Sequence, residues 1–253
     1  MYDGELYLEL HRGTLTAKQQ IKKNNRMAEN LLRMLELCLT RSAVTARTPV
    51  DGSALRPLWN TLLVNQFHDI LPGSCIAAAN DRSLHDMAEM LHTGSELLRS
   101  WFAPAQNCYT VLNPLDEPCR DVFYLPQIAS GFIAQEPGVT LQNVVLADGT
   151  AATAVYGLER PALGAAVLHF VPGEQPAQTS RFVYDGKTLT TPLLQVQLDE
   201  LGRITSLVTR ADGMQWADGP MNTLLMAEDV SAGWDGWDID ADCMMKLQPA
   251  ARL

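Results

Sequence analysis

Between residues 16 and 39, apolar side chains at Ile21, Met27, Leu31, Leu32, Leu35 and Leu39 recur with the period of one helix face. Thr14 or Thr16 stands where an N-cap is wanted, and Lys18, Lys22, Lys23 and Arg26 read as the solvated opposite face. After the polar link "RTPVDGS" (47–53), a second helix is predicted over 53–69, with Leu55, Leu58, Trp59, Leu62, Leu63 and Phe67 inward. Pro72 and Gly73 end it, because proline cannot continue a helix and glycine frees the turn. Ser74 then caps a third helix to about residue 102, with Ile76, Leu84, Met87, Leu91, Leu97, Leu98 and Trp101 inward. Three long helices with short links predict a bundle.

Past "APAQN" (103–107) the period changes to two. Short β-branched or aromatic runs, "YTVLNP", "DVFYLP", "VTLQNVVLA", "AAVLHFVP", "LLQVQLD" and "GRITSLVTR", alternate with Pro, Gly, Asn and Asp. "LDELGRITSL" reads as a hairpin with Gly202 at its turn. The expected fold class is therefore α+β: a helical bundle over 1–103, then a mainly antiparallel β-sandwich over 104–253.

A hydrophobic content of 47% is ample for packed cores. The net charge of −10 argues against a nucleic-acid or anionic-membrane partner. Residues 1–102 carry 11 basic and 11 acidic side chains and residues 103–253 carry 8 and 18, so the acidic excess lies wholly in the second half. Cys38, Cys75, Cys108, Cys119 and Cys243 form no metal-ribbon spacing and suggest a reducing cytoplasm. The first residues lack the pattern of a signal peptide, and no run approaches the ~18 apolar residues of a membrane span.

No nucleophile elbow, phosphate loop or zinc-protease motif is present. His85 and His92 read as ordinary helix-surface residues, and the spacing of Asp235, Asp238 and Asp240 lacks the glycine and distal glutamate of a calcium loop. Trp234 and Trp237 could stack on a sugar ring, although paired aromatics in a sandwich more often belong to its core. The segment that invites a chemical reading is "NQFHDILPGS" (65–74), where His68 and Asp69 meet a helix end. A neutral imidazole there can bind zinc and a carboxylate can hold a sugar hydroxyl, but one histidine cannot supply the three or four ligands of a zinc site. The bland alternative is that both residues only finish the helix.

"NQFHDILPGS" resembles the signature of glycoside hydrolase family 38, the zinc-dependent retaining α-mannosidases, in its bacterial and cytosolic branch. Three further segments are similar to the same family in the same order: "GELYLELHRGTLTAKQQIKKNNRMAENLL" (4–32), "TVLNPLDEPCRDVFYLP" (110–126) and "WDGWDID" (234–240). The resemblance implies a helical middle domain and the start of a β-rich region, with an N-terminal catalytic domain before them. It implies His68 as the last zinc ligand, Asp69 as a contact to a substrate hydroxyl, and His11 and Arg12 as residues lining or supporting the site. The nucleophile, the acid/base and the other zinc ligands then belong to that missing domain. Retaining hydrolysis needs two carboxyl groups about 5 to 5.5 Å apart, and no convincing partner for Asp69 is found.

The sandwich is expected to be incomplete after Asp240, and the isolated chain inactive. The partners implied are an α-mannoside and the missing N-terminal domain. The alternative is a non-catalytic carbohydrate-binding or assembly module.

Overall fold

A computed structural model describes residues 10–47, 51–102, 107–174, 180–240 and 242–250. Its described residues form two compact units. The larger runs from Thr16 to Pro176; the smaller joins the described residues before Thr16 to those after Pro176.

The larger unit opens with α1 (Gln19–Ala46), α2 (Leu55–Asn65) and α3 (Ala77–Ser100). Their shared core is Ala28, Leu32, Leu35, Leu55, Leu58, Leu62, Met87 and Met90, all essentially buried. α1 buries Ile21, Asn24, Ala28, Leu32 and Leu35 and packs Leu31 and Leu39 against the same core, so the predicted seam holds except at Met27, which is exposed. Leu63, Phe67 and Ile76, expected inward, are also exposed. Close approach of α3 to α1 needs Gly94, where a Cβ would lie 2.8 Å from a Leu31 methyl.

The expected caps are corrected. The residue before α1 is Lys18, in a left-handed conformation with no side-chain cap, and the Thr14 hydroxyl instead donates to the His11 carbonyl. The residue before α3 is Ile76, likewise without a side-chain cap, and Ser74 turns back toward the Asp69 carbonyl.

Strands follow: β1 (Cys108–Leu112), β2 (Phe123–Pro126), β3 (Phe132–Ala134), β4 (Thr140–Val145), β5 (Ala151–Tyr156) and β6 (Ala165–Pro172). They pair antiparallel as β1-β6-β3 and β2-β5-β4. Alternate residues of these strands, among them Leu141, Val155, Leu168 and Phe170, face one core, with Tyr109 and Phe123 packed against it. A small sandwich results. β3 and β5, missing from the predicted strands, complete it. Asn113 in the "VLNP" turn is buried and ties the turn together, donating to the Glu117 and Pro161 carbonyls and accepting from the Leu115 amide. Arg33 and Arg41 of α1 reach the Pro114 and Leu163 carbonyls.

The smaller unit holds a four-stranded antiparallel meander, β7 (Val183–Tyr184), β8 (Thr188–Thr190), β9 (Leu194–Leu198) and β10 (Ile204–Thr209), in the order β10-β9-β8-β7. A short pair, β11 (Leu225–Met226) with β12 (Gln248–Pro249), a one-turn helix α4 (Cys243–Lys246) and a 3-10 turn (Arg12–Leu15) belong to the same unit. The hairpin read around Gly202 forms as expected: Gly202 has φ +75°, its amide donates to Asp199, and β9 pairs with β10. No side chain among the described residues of this unit is fully buried. No helix among the described residues is long and apolar enough to cross a membrane.

Candidate functional site

α2 ends at Asn65, four residues earlier than the sequence pattern suggests. The Gln66 amide still bonds the Leu62 and Leu63 carbonyls, and the chain then enters successive tight turns: Phe67 to Val64, Ile70 and Leu71 to Phe67, and Gly73 to Ile70. Pro72 lies too far along to stop the helix at residue 65, since its ring excludes only the turn directly before it. His68 and Asp69 therefore sit on the turns beyond the helix rather than on its last residues. Both are open to solvent, with His68 Nε2 3.4 Å from Asp69 Oδ2 and the Phe67 ring 4.2 Å from the imidazole.

The turn is anchored to α1. Lys22 Nζ donates to the carbonyls of Ala17 (2.5 Å), Leu71 (3.0 Å) and Pro72 (3.2 Å). Gln66 Nε2 donates to Asn25 Oδ1 (3.0 Å) and Glu29 Oε1 (3.1 Å), while Asn25 Nδ2 also donates to Glu29. Lys22 thus leaves the solvated face assigned to it, and its burial pushes the ammonium below the usual lysine range. Gly73 has φ +85°, and a Cβ there would sit 2.8 to 2.9 Å from Lys18 and the Ala17 carbonyl. Only glycine fits that conformation in that space. The anchoring residues were legible only as a pattern: positions 22, 25 and 29 share one helix face, which reads equally as solvated surface.

His11 and Arg12 lie in the smaller unit, where the 3-10 turn Arg12–Leu15 meets the 234–240 loop. Arg12 Nη2 donates to the Ile239 carbonyl at 3.0 Å and its Nε lies 3.5 Å from Asp238 Oδ1. The Gly13 amide donates to the Trp237 carbonyl, and the His11 ring meets Trp237 edge-on at 5.2 Å. Two of the quoted segments, 227 residues apart, are clasped together. Trp237 is half-buried, but Trp234 is 83% exposed with φ +59°, so of the two readings weighed for it, core packing does not apply.

Among the described residues no three His, Cys, Asp or Glu side chains gather to hold a metal. His68 and Asp69 supply at most part of a ligand set, so these residues alone do not fit a zinc ion.

Residues 9–103 match the family "Alpha mannosidase middle domain". Human "Alpha-mannosidase 2C1" is 32% identical over 251 residues, covering 93% of this chain and 22% of the human protein. The chain carries an α-mannosidase middle domain. A yeast (Saccharomyces cerevisiae) "Alpha-mannosidase" is 42% identical over 77 residues, 30% of this chain and 7% of that protein. A crystal structure of an alpha-mannosidase from Enterococcus faecalis V583 shares the fold over 82% of this chain and 30% of its own length, with TM-score 0.53 and 13% identity. The chain thus spans about a fifth of the human relative it matches.

Proposed function

We propose that this chain supplies part of the active site of a zinc-dependent retaining α-mannosidase, with His68 as a zinc ligand and Asp69 as the acceptor for a substrate hydroxyl. The observation that carries the reading is an exposed His-Asp pair on a pinned turn inside the stretch that matches the α-mannosidase middle domain. When bound, zinc supplies Lewis-acid polarisation and a template for sugar hydroxyls. This chain's own residues present an imidazole nitrogen and a carboxylate. His11 and Arg12, engaged with Trp237 and Asp238, hold the 234–240 loop within the smaller unit. The remaining ligands and the two catalytic carboxylates belong to the part of the enzyme that this chain does not span, and the substrate is an α-mannoside. The five unpaired cysteines support a reducing compartment, the cytoplasm.

The test is direct. The purified 253-residue chain, with or without added zinc, is expected to release nothing from an aryl α-mannoside. Chelator-sensitive turnover by that chain would overturn the division of labour. A second reading, a non-catalytic carbohydrate-binding module, is favoured by one observation, the exposed Trp234. It requires that mannose oligosaccharides quench the chain's tryptophan fluorescence and that Trp234→Ala abolish the quenching.

A further inference from the structure

We propose that Lys22 is the positioning residue of the His68–Asp69 turn. The inference rests on the reading of those two residues given above. An ammonium has three N–H donors, and Lys22 directs them at three carbonyls, one on the approach to α1 and two on the turn that follows His68 and Asp69.

The turn has little else to fix it. Phe67 is exposed, the turn's backbone bonds are the local ones of single turns, the Ser74 hydroxyl reaches the Asp69 carbonyl at only 3.4 Å, and Gly73 adopts a conformation that leaves room for the Ala17 carbonyl and the Lys18 side chain. Backbone carbonyls withdrawn from water need donors, so the part-buried Lys22 ammonium, bonded to the Leu71 and Pro72 carbonyls, decides where the turn lies. Gln66, held by Asn25 and Glu29 one to two helical turns further along α1, fixes the other end. His68 and Asp69 are suspended between the two anchors. The arrangement gives an exposed pair a defined place without burying it, which a composite site requires of the partner it meets.

Two measurements test the assignment without using catalysis. In the wild-type chain, the Lys22 Nζ ammonium protons are expected to exchange slowly enough to give their own 15N-correlated NMR signal, unlike those of the exposed Lys23. A Lys22 signal lost to exchange as fast as that of Lys23 overturns the proposal. In Lys22→Met, backbone order parameters of His68 and Asp69 are expected to fall from about 0.85 to below about 0.6. Amide exchange at Ile70, Leu71 and Gly73 should rise at least ~10-fold, while Leu32, Leu62 and Met87 keep wild-type exchange and Lys22→Arg restores much of the protection. Unchanged order at His68 and Asp69, or a loss spread evenly over the three helices, overturns it. The zinc reading fails or stands on His68→Ala separately, so the two failures are distinguishable.

Discussion

The two units of this chain are built on different physics. The larger one has two cores, the helix-bundle cluster around Leu32, Leu62 and Met87 and the sandwich cluster around Val155 and Leu168, with several side chains wholly withdrawn from water. The smaller has no fully buried side chain among its described residues and exposes Leu193, Trp216, Met226, Trp234 and Met245. What it has instead is turn chemistry. Asp185 accepts the Lys187 and Thr188 amides, Asp199 accepts those of Leu201 and Arg203 and the Arg203 guanidinium, and Asn222 accepts that of Ile204. The acidic excess of the second half, which the charge count shows without explaining, is partly a set of carboxylates that organise turns. A long apolar core and a string of self-capped turns both yield ordered backbone, but only the first resists loss of a methylene.

That contrast sets the largest expected effect. Leu32→Ala should lower unfolding free energy by about 2–5 kcal/mol in urea titration, because the site is fully buried. Leu225→Ala, at a half-exposed position of the smaller unit, should stay within about 0.5 kcal/mol. Equal costs would erase the distinction. Gly73→Ala comes next, at about 1–3 kcal/mol, since alanine must adopt a positive φ against the Ala17 carbonyl; differential scanning calorimetry reads the change.

The smallest effect concerns acid. The Asp199 carboxyl lies below its ordinary range, chiefly because the Arg203 amide donates to it. A depressed carboxyl contributes stability that is fully present above the unfolded value of about 3.9 and is lost as pH falls through the lower folded value. The amides of Leu201 and Arg203 should therefore keep their protection at neutral pH and lose it only below about pH 4, whereas in Asp199→Ala they should be unprotected throughout. Protection that survives Asp199→Ala removes turn chemistry as the organising force.

Much of this was legible along the chain. Three helices, the switch to period two near residue 103 and the Gly202 hairpin all follow from spacing and turn residues, because those signals are local. Missed features depend on distant partners. On α1 the small Ala28 and the polar Asn24 are buried while Met27 is exposed, which its apolar period alone does not distinguish. α2 ends at Asn65, seven residues before the conspicuous Pro72, where the next side chain, Gln66, bonds Asn25 and Glu29 of α1. Lys22 reads as one more surface lysine until the Leu71 and Pro72 carbonyls are placed beside it. The clasp between Arg12 and the 234–240 loop joins segments 227 residues apart and leaves no local trace. For the candidate site, His68 and Asp69 stood out as a pair in a resembling motif; the framework that holds them did not.

The central claim is that His68 is a ligand in a zinc centre shared with the rest of an α-mannosidase. The measurement that tests it most directly is zinc per polypeptide, with the rate of α-mannoside hydrolysis, in the complete gene product that carries this chain, before and after His68→Ala. The account predicts about one zinc in the unaltered protein, lost together with at least ~100-fold in rate in the variant. Unchanged zinc content and an unchanged rate would contradict it.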